Sequence, residues 1–226
     1  TGLPFITVKY AQTLDGRIAT ATGNSQWISS PSSLKFSHRL RAEHDAILVG
    51  IGTVLRDNPT LTVRLVRGRN PLRVVADSGL ATPADANVMR NLSETPTLIA
   101  TTRNPSDPRY QRLSKAGAHL ITVAPDRNQQ VDLKKLFQKL AAENISSVLI
   151  EGGAGIITSA LGQGLVNRLV VVTAPKILGK GIEAIGDLGI RDLKNAKILS
   201  VLSISKKGPD IITDARLEPG LRSRRP

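Results

Sequence analysis

The chain has no cysteine. That removes disulfides, thiolate zinc ligands and a cysteine nucleophile from consideration, and it suits a reducing compartment. Aromatic residues make up only 3%, with one Trp, two Tyr and three Phe. A single-strand nucleic-acid binder needs stacking platforms, and too few are present to build them. No apolar run approaches the roughly 18 residues that a membrane-spanning helix requires. Acidic residues are also scarce: 18 Asp and Glu stand against 31 Lys and Arg, a net charge of +13. Such an excess attracts anions, either nucleic acid or small phosphorylated molecules. The basic residues are scattered, apart from Arg64, Arg67, Arg69 and Arg73 and the terminal LRSRRP. No basic recognition helix is visible, so phosphorylated small molecules are favoured.

What remains is ordinary for a globular protein, 226 residues with 40% hydrophobic and 22% charged side chains. Strand patterns fall at Phe5–Tyr10, Ala46–Val49, Leu72–Ala76, Thr97–Ala100, His119–Val123, Ser147–Ile150 and Arg168–Thr173. Several are continuous apolar runs, as expected of strands buried on both faces. Helical patterns alternate with them. Ser30–Pro31 reads as an N-cap and N1 pair opening a helix to about Glu43. A short helix follows Gly50, and others cover Asp107–Ala116, Asp132–Glu143 and Gly155–Gly162. Alternation predicts an α/β fold with a mainly parallel sheet. Near the end, Ile198–Ser205 and Ile211–Ala215 flank KKGPD with no helix between them, which predicts an antiparallel hairpin. With no repeat and no linker, residues 1–218 read as one domain, followed by a basic tail, 219–226, expected to lack order.

Three stretches carry candidate chemistry. In KYAQTLDGRIATATGNSQW, Lys9–Trp27, a strand gives way to small residues, glycines and the lone Trp27. Two readings stay open there: a surface loop with a core Trp, or a floor on which a flat ligand lies. In IEGGAGIITSAL, Ile150–Leu161, a buried strand ends at Glu151 and Gly152, Gly153 and Gly155 lead into a helix. Free N–H groups at such a helix start form an anion site, and Thr158 and Ser159 can add hydroxyl donors. Glu151 reads either as a satisfied structural acid or as an acceptor for the amino groups of a heterocycle. In VGIGTVLRDNPTLTVR, Val49–Arg64, Asp57 precedes an Asn-Pro turn, and Arg41 and Arg64 both flank the region. Two guanidiniums can grip a phosphate bidentately. His38, His44 and His119 form no metal-like cluster and read as structural. Arg103, after Thr101 and Thr102 at a strand end, is a candidate for a nucleotide phosphate.

Taken together, TVKYAQTLDGRIAT, SQWISS, LRAEHDAILVGIGTVLRDNPTLTVR, RVVADS and IEGGAGIITSAL, in order from about residue 4 to 215, resemble the riboflavin-biosynthesis pyrimidine reductase family. This family comprises the C-terminal half of the bifunctional deaminase–reductase and its stand-alone relatives. The resemblance implies a dihydrofolate-reductase-like sheet flanked by helices and a homodimer. It implies NADPH-dependent reduction of the ribosyl group of 5-amino-6-(5-phosphoribosylamino)uracil, or its 2,5-diamino precursor, to a ribityl chain. It places cofactor contacts at Ala11, Trp27, Thr53, Asp57, Ser78 and along Gly153, Ala154, Gly155, Ile156, Ile157, Thr158 and Ser159. Substrate contacts fall on Ser25, Arg41, Leu61, Arg64 and Glu151, with Glu151 and Asp57 as the catalytic candidates. No metal, membrane or nucleic-acid partner is expected, and the cytoplasm is the expected compartment. The zinc-binding pattern of the deaminase half is absent from this sequence, so a reductase alone is expected, free-standing or part of a longer protein. A related reductase acting on a pterin, and a basic nucleic-acid-binding protein, are the alternatives.

Overall fold

The computed structural model describes residues 2–218; the basic tail expected at 219–226 falls outside the described residues. The chain runs β1 (Phe5–Thr13), β2 (Arg17–Thr20), α1 (Pro31–Glu43), β3 (Ala46–Gly50), α2 (Ile51–Asp57) and β4 (Leu72–Ala76). A 3₁₀ turn at Asn87–Met89 leads to β5 (Thr97–Thr101), α3 (Pro108–Lys115), β6 (His119–Thr122) and α4 (Leu133–Ala142). Then come β7 (Ser147–Gly152), α5 (Ala154–Gly162), β8 (Arg168–Ala174), β9 (Gly181–Glu183), β10 (Leu199–Lys207) and β11 (Asp210–Leu217).

Nine strands form one sheet in the order β10-β11-β8-β1-β7-β3-β4-β5-β6. The seven strands from β8 to β6 are parallel, and β11 and β10 close the sheet antiparallel. Strand alternation sends neighbouring side chains to opposite faces. Val148 and Ile150 of β7 pack with Leu133, Leu136, Phe137 and Leu140 of α4 and with Ile157 and Leu161 of α5. Leu149, between them, packs on the other face with Leu40 of α1. Ile47, Val49, Val75 and Ile99 also belong to that other face, beneath Val54 of α2 and Leu113 of α3. Each such large side chain contributes roughly 1.5–3 kcal/mol on burial.

The predicted helices stand close to their expected bounds because their ends are written locally. Ser30 Oγ accepts from the Ser33 amide with Pro31 at N1, and Asp107 and Asp132 cap α3 and α4 in the same way. Two features differ from expectation. First, β1 continues past Tyr10 to Thr13, since Ala11, Gln12 and Thr13 find partners at Val172, Thr173 and Ala174 of β8. Second, β2 and β9 form a small separate antiparallel pair. At four and three residues they are too short to show an alternation, and their pairing joins segments about 160 residues apart, tied by Arg17–Glu183 at 2.6 Å.

Candidate active site

A cavity of about 1410 Å³ opens over the carboxyl ends of β1, β3, β4 and β7. This is where ligands enter open α/β sheets, because strand ends and helix starts converge there around a reversal in strand order. Its volume exceeds the roughly 300–1,000 Å³ of a single small-molecule site, leaving room for two ligands side by side.

One wall is the β7–α5 turn. Gly153 is the N-cap of α5, with φ +85°, and no side chain caps the helix. A Cβ added at Gly155 would meet nothing within 4 Å, and Gly152, Gly153, Ala154, Gly155 and Ile156 all line the cavity. Bare backbone and an uncapped helix start therefore face open space, which fits a pyrophosphate-bearing cofactor. Gly52, at the start of α2, likewise meets nothing within 4 Å and lines the same cavity.

The residue before this turn on β7 is Glu151, and it has a partner that sequence reading did not supply. Arg41 of α1 donates through Nε and Nη2 to the Glu151 carboxylate, the closest contact being 2.6 Å. Arg41 Nη1 donates to the Thr62 carbonyl. Both side chains are largely buried, Arg41 at 14% and Glu151 at 7% exposure. Burial alone would raise the Glu151 carboxyl, but Arg41 and Lys9 overcome it and hold it below the ordinary glutamate value. Lys9 of β1, buried beside the pair, is pushed down by burial and by Arg41, against the attraction of Glu151. It lines the cavity, as does His38, one turn before Arg41 on α1.

Arg64 is different. Its side chain is exposed over the cavity, donates to Thr62 Oγ1, and forms no ion pair among the described residues. Its backbone N–H donates to His38 Nδ1 at 2.8 Å. The wall between Arg64 and α2 is unusual in backbone. Asn58, the C-cap of α2, has φ +41° and buried Leu61 has φ +54°. Left-handed leucine is costly, and such residues gather at functional sites. Asn58 is clamped by Asn87, whose amide and side chain both donate to it. Asp57, just before it, accepts from Ser25 Oγ at 3.5 Å, and burial raises its carboxyl above the ordinary aspartate value.

Of the residues expected at the site, Ala11, Ser25, Trp27, Arg41, Thr53, Asp57, Leu61, Arg64, Glu151, Gly153, Ala154, Gly155, Ile156, Ile157 and Ser159 line this one cavity. Trp27 is 65% exposed, which removes the core-Trp reading. Ser78 and Thr158 are outside the lining. The Ser78 hydroxyl donates to Gln130 and accepts from the Val131 amide, while Thr158 Oγ1 donates to the Ala154 carbonyl and accepts from the Gly186 amide. Arg103 is not brought to the cavity and lines a separate groove with Asp107, Pro108 and Arg109. Arg73, which reads as one of a basic cluster, is 1% exposed and donates to the carbonyls of Asn87, Arg90 and Thr95. Lys9, which sequence reading passed over, and His38, which it took as structural, also line the cavity beside the expected residues. A charged residue inside an apolar strand, and a His three positions before an Arg on one helix face, were the available signals. No group of three His, Asp or Glu side chains able to hold a metal ion occurs among the described residues, and no helix there is long and apolar enough to cross a membrane.

The comparisons with known proteins agree with this geometry. The family model described as RibD C-terminal domain matches residues 4–212. The riboflavin biosynthesis protein RibD of Aquifex aeolicus is 39% identical over 210 residues, covering 92% of this chain and 56% of that protein. The chain thus spans about half the length of the RibD relatives it matches. A second Aquifex aeolicus protein, named 2,5-diamino-6-ribosylamino-4(3H)-pyrimidinone 5′-phosphate reductase, is 33% identical over 217 residues, 93% of this chain and 95% of its own length. Among solved structures, a deaminase/5-amino-6-(5-phosphoribosylamino)uracil reductase of Thermotoga maritima superposes with a TM-score of 0.77 at 28% identity, over 96% of this chain and 57% of that one. With the mixed sheet, the antiparallel closing pair and the match over nearly the whole described length, the chain belongs to the RibD C-terminal domain family.

Proposed function

We propose that the protein is a pyrimidine reductase of riboflavin biosynthesis, which uses NADPH to convert the ribosyl group of 5-amino-6-(5-phosphoribosylamino)uracil, or its 2,5-diamino precursor, into a ribityl chain. One observation carries the reading: a single cavity holds a bare glycine turn at a helix start and an arginine, Arg64, with no ion-pair partner among the described residues, around a buried Lys9–Glu151–Arg41 cluster. Two phosphorylated ligands need two anion sites in one space, and the names of the full-length and stand-alone relatives point to the same reaction class.

The cofactor supplies a hydride. The protein's part is to hold both ligands in register and to keep water out. The β7–α5 turn would hold the pyrophosphate, with Ala11, Trp27 and Thr53 as further cofactor contacts. Arg64 takes the substrate 5′-phosphate, and Glu151, fixed by Arg41, accepts from the amino groups of the pyrimidine. Reducing the ring-opened imine requires a proton at nitrogen as well as a hydride at C1′. Lys9 Nζ, whose charged form burial disfavours, is the group from which we draw it.

The protein acts as a homodimer in this reading. Strand β10 is a sheet edge with Leu199, Val201, Leu202 and Ile204 all exposed, an edge that a second copy would cover. The lack of cysteine agrees with the reducing cytoplasm, where we place the enzyme. An anaerobic assay of NADPH absorbance with the deaminated and the diamino pyrimidine phosphates tests the activity. Oxidation of NADPH with either supports it; none with both overturns it. Sedimentation at micromolar concentration tests the dimer, and a 24.2 kDa species overturns that part.

A further inference from the structure

His38 is a buried polar residue that the reaction described above does not use. It sits on α1, three residues before Arg41, and is 5% exposed. Its Nδ1 lies 2.8 Å from the Arg64 backbone N, so Nδ1 is the acceptor and the ring proton resides on Nε2. Nε2 has no hydrogen-bond partner among the described residues and, unlike the buried Ser33 Oγ and Arg73 Nε, is not fully sealed within the protein. The ring lines the cavity. Nε2–H is therefore an unpartnered donor on a cavity-lining ring, on the helix that carries Arg41 and against the loop that carries Arg64. By contrast, His44 fills both nitrogens, with the Leu40 carbonyl and Thr7 Oγ1.

We infer that His38 is a substrate-binding residue: neutral, anchoring the Arg64 loop through Nδ1 and donating Nε2–H to the substrate 5′-phosphate. This deepens the proposed function and rests on it. The groups facing the ring are Arg41 on its own helix, Arg64 on the adjoining loop, Glu151 on β7 and Lys9 on β1. Burial, together with the Arg41 and Arg64 charges, lowers the ring to about 4, in keeping with the acceptor role of Nδ1 toward the Arg64 amide. A neutral imidazole presents one acceptor and one donor together, which a lysine or arginine there could not do. The His38–Arg64 contact couples the two donors: whatever holds the ring also sets the height of the Arg64 backbone over the cavity.

The test is the ratio of kcat/KM for the phosphorylated substrate to that for its dephosphorylated form, with NADPH saturating. His38→Asn places an oxygen where Nδ1 was and keeps the Arg64 anchor, but it loses the outer N–H. It should lower the ratio at least about tenfold, the worth of one hydrogen bond to a charged group. NADPH affinity should stay within about twofold, because the cofactor wall is untouched. His38→Gln keeps an outer N–H but not the Nδ1 acceptor, and it should retain more of the ratio than His38→Leu, which keeps neither. A ratio unchanged in His38→Asn, or reduced equally in His38→Gln and His38→Leu, overturns the inference. If His38→Asn does not fold, His38→Leu replaces it with the same expectation against His38→Gln. A wild type that turns over but ignores the phosphate overturns the inference and the phosphate assignment together, whereas a wild type that is phosphate-selective with a silent His38→Asn overturns the inference alone.

Discussion

The two ends of the sheet carry the same kinds of group and use them in opposite ways. At the amino end, Asp45 follows α1 and accepts from the amides and hydroxyls of both Ser146 and Ser147, with Arg69 added from outside. Its hydrogen-bonding capacity is filled by the chain itself. At the carboxyl end, Glu151 is held by Arg41, but Lys9, His38 and Arg64 beside it keep donors that no described residue takes up, and the helix start at Gly153 is uncapped. Buried polar groups are normally satisfied, so a cluster of open donors over one cavity marks where a ligand completes the count. The amino end fastens strands β3 and β7 together, and the carboxyl end is built to be finished by something else.

Breaking Glu151 from Arg41 should have the largest effect. Arg41→Met leaves a carboxylate that is nearly out of water without its main partner, and such a loss costs about 3–5 kcal/mol. Denaturant unfolding reads it directly. Adding Glu151→Gln to Arg41→Met should restore much of the stability and none of the turnover, which separates the pair's structural part from its part in the site. A single variant as stable as the wild type would show that water reaches Glu151 freely.

Arg64→Ala comes next. Its side chain has no carboxylate partner among the described residues, so stability should hardly move, whereas KM for the phosphorylated substrate should rise roughly ten- to a hundredfold, the worth of about 1.5–3 kcal/mol. Arg64→Lys should recover part of this, since the planar fork is lost. An Arg64→Ala enzyme with KM raised less than about threefold places the phosphate elsewhere.

Gly155→Val tests the cofactor wall with less collateral cost than a change at Gly153, where φ +85° makes any side chain strained. The valine would project into open cavity. NADPH affinity should fall at least about tenfold with thermal unfolding unchanged, and an unchanged affinity would move the cofactor off this turn.

The smallest expected effect is a pH dependence that sets the two ends apart. His38, at about 4 when folded against an ordinary 6.5, binds fewer protons folded than unfolded between those values. Its contribution therefore destabilises the protein as pH falls from 6.5 to 4. Asp45, held at about 2 against 3.8, stabilises above 3.8 and gives that contribution up as pH falls toward 2. Unfolding titrations should show His38→Asn flattening the upper window and Asp45→Asn the lower one. The same slope in both variants would mean that other carboxylates govern acid unfolding.

Much of the fold was legible because its signals are local. Caps at Ser30, Asp107 and Asp132 start helices through contacts two or three residues away, and runs such as Ala46–Val49 are apolar throughout because both faces are covered. The glycine turn was legible for the same reason: strand, glycines and helix follow one another. The motif residues also converge, most of them lining one cavity. Partnerships across the fold were not legible. Glu151 and Arg41 are 110 residues apart, and nothing near either names the other. Arg73 sits among arginines that face solvent and is itself buried, because strand alternation and the return of the Asn87–Thr95 segment decide where its guanidinium ends. Sequence by itself determined most of the elements, though not the short β2–β9 pair or the end of β1, and it determined which stretches bear the chemistry, since those follow from neighbours along the chain. Only the tertiary structure decided which charges pair and which donors stay open, since that depends on what the folded sheet brings within hydrogen-bond reach.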